Sequence, residues 1–328
     1  MSQSRPEKSD SDEAALLGRD ARRPSAIPFP GWRDIALRLW NRIGDHRISL
    51  TSAGVAFYAM LAMLPTMVAF VSIYGLLTDV TSIPAQLDLL AGIVPGQSLE
   101  LMRDELTRIA QVPRNALSLS FAVSLVLSIW STNNAVRAMF EAMNIAYGET
   151  ESRPFLRQVA MSLIFTVSGI AFSIVALNVV VVAPIVLTLV TFGTFTFIGG
   201  AAVPLTMFVL LNIAVSLLYR FGPNRKPAKW QWITPGSLAA TLMWFAGSAA
   251  FAFYLSNWGD YTATYGSLGA VIGLLIWLFI SSFAIIFGAE INAAIEHQTA
   301  EDSTIGRDRP MGERGAFVAD TLGKNFRD

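Results

Sequence analysis

Charged positions are missing from long stretches of this chain. Arg157 and Arg220 bracket 62 residues, Gln158 to Tyr219, that contain no Asp, Glu, Lys or Arg. Similar stretches run from Ile48 to Thr78, Asn115 to Ala135, Trp230 to Gly259 and Tyr261 to Ala289. About 20 apolar residues span the hydrocarbon core of a bilayer, and about 18 are enough to predict a span. A helix in a soluble core carries a polar stripe on its outer face. These stretches carry none. The pattern predicts an all-α, polytopic membrane helix bundle with six transmembrane helices and additional amphipathic interfacial helices.

The spans are expected at about residues 51–77, 116–138, 159–189, 201–219, 233–258 and 268–294. Pro65 falls in the middle of the first and predicts a kink, because proline removes one helix hydrogen bond. The second continues past its apolar run through Asn133 and Asn134 to Arg137 and Glu141, as one helix that emerges from the membrane. The 62-residue uncharged stretch would be about 93 Å long as a single helix, against a core of about 30 Å. The chain must therefore reverse within it. Phe192, Gly193 and Thr194, with Gly199 and Gly200, give the turn signal.

Amphipathic segments lie between and before the spans. Trp32, Ile35, Ala36, Leu39, Trp40 and Ile43 share one helical face, with Arg33, Arg38 and Arg42 beside it. Two tryptophans rimmed by arginine suit a helix in the headgroup layer. Leu99, Met102, Leu106 and Ile109 form a second stripe, ended by Pro113. Residues 1–30 and 298–328 are charged and poor in large apolar residues, and are expected as disordered cytoplasmic tails around a membrane domain at 31–297. No cleavable signal is read in the first residues, since the first apolar run is too long for one.

Charge sets the orientation. Of the 24 Lys and Arg, 21 fall in the two tails and the even-numbered loops, and three in the first loop. The positive-inside rule places the 21 in the cytoplasm with both termini. The short loops alone divide seven to three in the same sense.

Composition then narrows the chemistry. Charged residues make up 15% of the chain, against about 25% in soluble domains. Net charge is zero, so no global field attracts nucleic acid. Cysteine is absent, which removes disulfides and thiol chemistry. Two histidines, His46 and His297, do not make a histidine-rich metal cluster. There is no GxxxxGK[ST] loop, GxSxG elbow or HExxH motif. No catalytic residue, metal or cofactor is expected.

Polar groups near spans are the functional candidates. Glu290 lies about 33 Å along span six and Arg137 about 32 Å along span two. Both spans run inward, so the two charges reach similar depth. They are expected to pair or to line an inner vestibule with Asn133, Asn134 and Arg153. Asn178 and Asn212 fall inside spans three and four and are expected to hydrogen-bond neighbouring helices. Gly269 and Gly273 form a GxxxG that allows close helix approach.

Several separated motifs resemble one family. Tyr265-Gly266-Ser267-Leu268-Gly269-Ala270-Val271-Ile272, Leu275-Ile276-Trp277 and Phe287-Gly288-Ala289-Glu290-Ile291-Asn292 are similar to the YihY/virulence factor BrkB family of bacterial inner-membrane proteins. So are Ala56-Phe57-Tyr58-Ala59-Met60-Leu61 through Pro65, and Asn144-Ile145-Ala146-Tyr147 with Arg153-Pro154-Phe155. Pro235-Gly236-Ser237, with Phe253-Tyr254 and Ser256-Asn257, fits as well. Where the family usually carries Ser before Arg137, this chain reads Thr132-Asn133-Asn134. The resemblance covers about residues 32 to 297 and implies a six-span inner-membrane protein. Members once carried the label ribonuclease BN, which nothing in these residues supports.

Two functions compete at this point. One moves or scrambles a lipid or other amphiphile between leaflets, favoured by prolines within spans and few buried charges. The other is a non-transporting structural or assembly factor of the envelope, docking through Leu99 to Ile109. The expected partners are membrane lipids, or in the second case an envelope protein, and no nucleic acid.

Overall fold

A computed structural model describes residues 14–77, 114–177, 179, 196–257 and 268–326. Among the described residues the fold is all-helical, and no β-strand forms; Ala228 and Thr304 make a single isolated bridge. A short 3-10 turn at Pro24–Ala26 precedes α1 (Phe29–Asp45). Six long helices follow: α2 (Ile48–Leu77), α3 (Arg114–Tyr147), α4 (Phe155–Leu177), α5 (Thr196–Phe221), α6 (Trp230–Asn257) and α7 (Leu268–Glu296). A single turn, α8 (Phe317–Asp320), comes last. The chain divides into two compact units, Met1–Ala56 with Val136–Asp328, and Phe57–Ala135.

Among the described residues, three helical segments are long and apolar enough to cross a membrane, Ala202–Phe221, Trp230–Asn257 and Val271–Glu296. Ile48–Met63 and Phe155–Gly169 are shorter apolar runs. The outer faces of these helices are apolar. Leu205, Val209, Ile213 and Leu217 recur every fourth residue on α5 and are all exposed. Soluble proteins rarely leave such a stripe open to water, and hydrocarbon would cover it. The helix α2 runs unbroken through Pro65. Its successor α3 reaches nine residues beyond the expected end, and the extension is core rather than solvent-facing: Phe140, Ala142, Met143, Ala146 and Tyr147 are buried.

The larger unit is centred on α6 and α7. Gly236 and Gly288 set their separation. A Cβ on Gly236 would collide with the Gly288 carbonyl oxygen and with the Asn292 side chain. Asn292 exploits this contact. Its Oδ1 accepts from the Gly236 amide at 2.7 Å and its Nδ2 donates to the Ile233 carbonyl at 2.9 Å. Pro235 lies between those two residues and has no N–H of its own, so Asn292 ties the helix on either side of the proline. Tyr219 of α5 joins the contact by donating to the Ile285 carbonyl at 2.6 Å.

Of the expected GxxxG pair, Gly273 marks no close approach among the described residues. A Cβ on Gly273 would meet nothing within 4 Å. The close backbone contact belongs to Gly236 and Gly288, two glycines on different helices that no sequence spacing relates. Gly236→Ala is therefore expected to cost about 1–3 kcal/mol by forcing α6 from α7. Gly273→Ala should leave the thermal midpoint in detergent unchanged. A larger loss at Gly273 than at Gly236 would contradict this packing.

Both expected tails are corrected over the described residues. Residues 14–30 and 298–326 fold onto each other and onto the ends of α6 and α7. Leu17, Ala21 and Ile27 are buried, as are Val318 and Ala319. Polar side chains supply most of the order. Gln298 donates to the Leu17 carbonyl at 2.9 Å and Thr299 to the Ala21 carbonyl at 2.7 Å. Arg314 donates to the carbonyls of Ala300, Ala319, Glu301 and Arg309. Asp320 accepts from the amides of Gly312, Arg314 and Gly315. Composition predicts disorder when apolar area is lacking. Here saturated backbone hydrogen bonds compensate for that lack.

The amphipathic segment Leu99–Ile109, the turn at Phe192–Thr194, and Asn178 lie outside the described residues.

Candidate functional site

Ionised groups gather at one end of α7. Helix α1 brings them there. Its buried positions, Gly31, Asp34, Ile35, Arg38 and Arg42, recur at i, i+3, i+4, i+7 and i+11, one face of a helix. The tight turn into α2 passes through Arg47, whose φ of 47° is left-handed. This turn holds His46 beside α7.

Glu290 is the centre of the cluster and is completely buried. His46 donates from Nδ1 to its Oε1 at 2.5 Å, and Arg42 from Nη1 to its Oε2 at 3.5 Å. Arg42 also donates to the Ala146 carbonyl at 3.3 Å and to Nδ1 of His297 at 3.3 Å. Burial, and then the charges of Arg42, Arg38 and Arg19, push His297 down to about 3. The ring is thus neutral. Nδ1 accepts from Arg42, which leaves Nε2–H to donate to Thr321 Oγ1 at 2.9 Å. Thr321 Oγ1 in turn donates to the Phe317 carbonyl at 2.7 Å.

Arg38 lies one turn earlier on α1. It donates to the Ala294 carbonyl at 3.0 Å, to Gln298 Oε1 at 2.9 Å and to the Lys324 carbonyl at 3.2 Å. Burial, with Arg19 and Arg42 nearby, lowers it to about 10, against the pull of Asp34. Its Nε and Asp34 Oδ2 are buried without a hydrogen-bond partner.

A second buried pair closes the other side of the same end. Arg225 and Glu296 form a two-pronged ion pair with side chains 2% and 1% exposed. Ser303 donates to Glu296 Oε1 at 2.5 Å, and the Arg225 guanidinium lies 5.0 Å from the Tyr147 ring centroid. Burial opposes the charge on Arg225, yet contact with Glu296 raises its pKa further.

The expected partner of Glu290 was Arg137. Both oxygens of Glu290 are instead taken by Arg42, from the last turns of α1, and by His46, from the turn that follows it. The Arg137 guanidinium lies over the Phe155 ring at 5.5 Å, and its Nε is buried without a partner. Asn133 and Asn134 are half-buried on α3, a turn before Arg137. Arg153 does not line an open vestibule. Its side chain is 5% exposed, holds Glu151 through two nitrogens, donates to the Gly222 carbonyl at 3.2 Å and lies over the Phe140 ring. It fastens the α3–α4 loop to the end of α5. Pro65 remains a helical position in α2.

The residues that sequence reasoning missed are Arg38, Arg42, His46, His297, Arg225 and Glu296. The i, i+4, i+8 spacing of Arg38, Arg42 and His46 was the available signal. Among the described residues, no group of three or more His, Asp or Glu is placed to hold a metal ion.

Comparison with known proteins places the chain in a family. The Virulence factor BrkB family model matches residues 39–312, a span that takes in Arg42, His46, Glu290 and Arg225. The chain belongs to the virulence factor BrkB family. Several relatives are membrane proteins by name. A UPF0761 membrane protein of Pseudoalteromonas translucida is 21% identical over 84% of this chain and 89% of its own length. Another, from Tolumonas auensis, is 23% identical over 78% of this chain and 83% of its own. YfkH of Bacillus subtilis, named ribonuclease-like, is 29% identical over 78% of this chain and 93% of its own. No solved structure matches this BrkB family member.

Proposed function

We propose that this BrkB-family membrane protein spans a bacterial inner membrane six times, with both termini in the cytoplasm, and lets a lipid or similar amphiphile cross between leaflets. One observation carries the reading: a neutral polar stripe runs along α6 inside the apolar zone. Ser237, Thr241, Trp244 and Ser248 stand at i, i+4, i+7 and i+11, so they share a face over about 16 Å. That is about half the thickness of a hydrocarbon core.

The stripe is bonded to its neighbours by hydroxyl, amide and indole groups alone. Asn212 of α5 donates toward Ser237 and Thr241, each at 3.4 Å. Trp244 donates to Ser281 at 2.9 Å, and Trp277 to Ser248 at 3.2 Å. Trp244, Ser248, Trp277 and Ser281 are half-buried. Neutral donors of this kind trade partners with a passing headgroup at little cost, whereas an ionised path would trap it. The buried charges stand apart from this stripe, at one end of α7. Interhelical hydrogen bonds between polar side chains also hold membrane helices together. The half-exposed indoles favour a path over glue alone.

The ribonuclease-like name of YfkH finds no support in these residues. Glu290, Glu296 and His297 each engage internal partners, and none is left to act as a base toward RNA.

Purified protein in liposomes with a headgroup-labelled lipid tests the reading. An aqueous quencher removes outer-leaflet signal at once and inner-leaflet signal only after transfer. Transfer should exceed that of empty liposomes, and Trp244→Phe with Trp277→Phe should slow it. Equal rates with and without protein would end the proposal.

A further inference from the structure

Helix α1 is built inside out. Its buried face carries Asp34, Arg38 and Arg42, while Phe29, Trp32, Ala36 and Trp40 face outward. Phe29 is 84% exposed and Trp40 76%. The outward residues recur at i, i+3, i+7 and i+11, so they form one continuous strip. Ile43 continues that strip, half-buried. A helix on a soluble surface has the opposite arrangement.

We propose that the outward face of α1 is a membrane-docking surface, seated where headgroups meet acyl chains in a leaflet carrying anionic lipid. Position supports this occupant. Arg38, Arg42 and His46 fix α1 to Ala294 and Glu290, in the last turns of a helix long and apolar enough to cross a membrane, and to Gln298 just beyond it. The apolar strip therefore stands where that helix leaves the hydrocarbon. Tryptophan favours that layer. The turn at Arg47 leads directly into α2, where Leu50 is also exposed, so the apolar surface continues.

Charge supports the anionic leaflet. The exposed ionised residues from 20 to 47 are Arg22, Arg23, Arg33 and Arg47, against Asp20 and Asp45. The acids that would cancel the remaining arginines are turned inward: Asp34 is buried beside Arg38, and Glu290 is held by Arg42. Basic residues flanking an apolar face are what a negatively charged lipid surface attracts. The inference concerns how the protein sits on its membrane, and stands whether or not lipid is moved along α6.

The chain has no cysteine, so single nitroxide labels are clean. Labels at Trp40→Cys and Phe29→Cys, with Asn41→Cys as the polar comparison, are read in proteoliposomes of phosphatidylcholine with and without phosphatidylglycerol. Protection from an aqueous nickel chelate, relative to oxygen, should be at least about three-fold greater at 40 than at 41. Phosphatidylglycerol should raise protection at 40, and Arg33→Gln with Arg47→Gln should remove that increment. Free access of the chelate at 29 and 40 would overturn the proposal. So would dipolar broadening at 40 that disappears on dilution with unlabelled protein, since a second copy would then be the occupant. An increment that survives the double substitution would overturn the anionic part.

Discussion

Glu290→Ala is expected to cost about 3–5 kcal/mol of stability, the range seen when one partner of a buried ion pair is removed. The carboxylate is completely buried and faces His46 and Arg42 together. Without it Arg42 remains buried among Arg38, Arg19 and His297, with no acid in contact. Burial already lowers the pKa of Arg42, and Glu290 is the group that offsets this. Glu290→Gln keeps the shape and an acceptor but loses the charge, so it should fall between wild type and Glu290→Ala. Arg42→Met combined with Glu290→Met removes both charges, and should be less damaging than Glu290→Ala, because apolar replacement of a whole buried pair is often neutral. Thermal unfolding of detergent-purified variants gives the order. A loss under about 1 kcal/mol in Glu290→Ala would mean the carboxylate does not hold the cluster.

The second large effect is at Arg225. Arg225→Met leaves Glu296 1% exposed, with Ser303 as its remaining side-chain donor. The expected cost is again about 3–5 kcal/mol. Arg225 also covers the Tyr147 ring, and Lys at this position would keep the charge but lose the two-pronged contact. Arg225→Lys should therefore recover less than half of the loss. Full recovery by lysine would show that charge alone is required. Tyr147 lies near Arg225, Glu296 and Glu290, so the two losses are expected to couple rather than add.

How much of this was legible in the sequence depends on which force built each part. The uncharged stretches marked out the long helices, because backbone hydrogen bonding and apolar composition act locally. The α1 periodicity was legible for the same reason, but Arg38 and Arg42, read as a rim for headgroups, are buried against the rest of the fold. The ion pairs were not legible. Arg42 and Glu290 are 248 positions apart, and their meeting depends on one left-handed residue, Arg47, that redirects the chain. Depth along each helix suggested Arg137 as the partner, but depth carries no information about which helix face turns inward. The tails failed differently. Composition measures apolar burial, whereas residues 298–326 are ordered by Gln298, Thr299, Arg314 and Asp320 bonding to backbone. Gly236 and Gly288 are informative only in pairs across two helices, which no single-helix motif records.

Arg220, Arg225, Lys226 and Lys229 cluster around the end of α5 and the start of α6, and Arg225 pairs with Glu296 at the end of α7, where the folded segments before α1 and after α7 also meet. If that end is cytoplasmic, both chain ends are as well. Single cysteines at Ala15 and Lys324, treated with a membrane-impermeant maleimide, test this directly. Labelling of both in inside-out vesicles, and of neither in intact spheroplasts, is the result predicted. Reaction of the two positions from opposite sides would contradict the six-span arrangement and everything placed upon it.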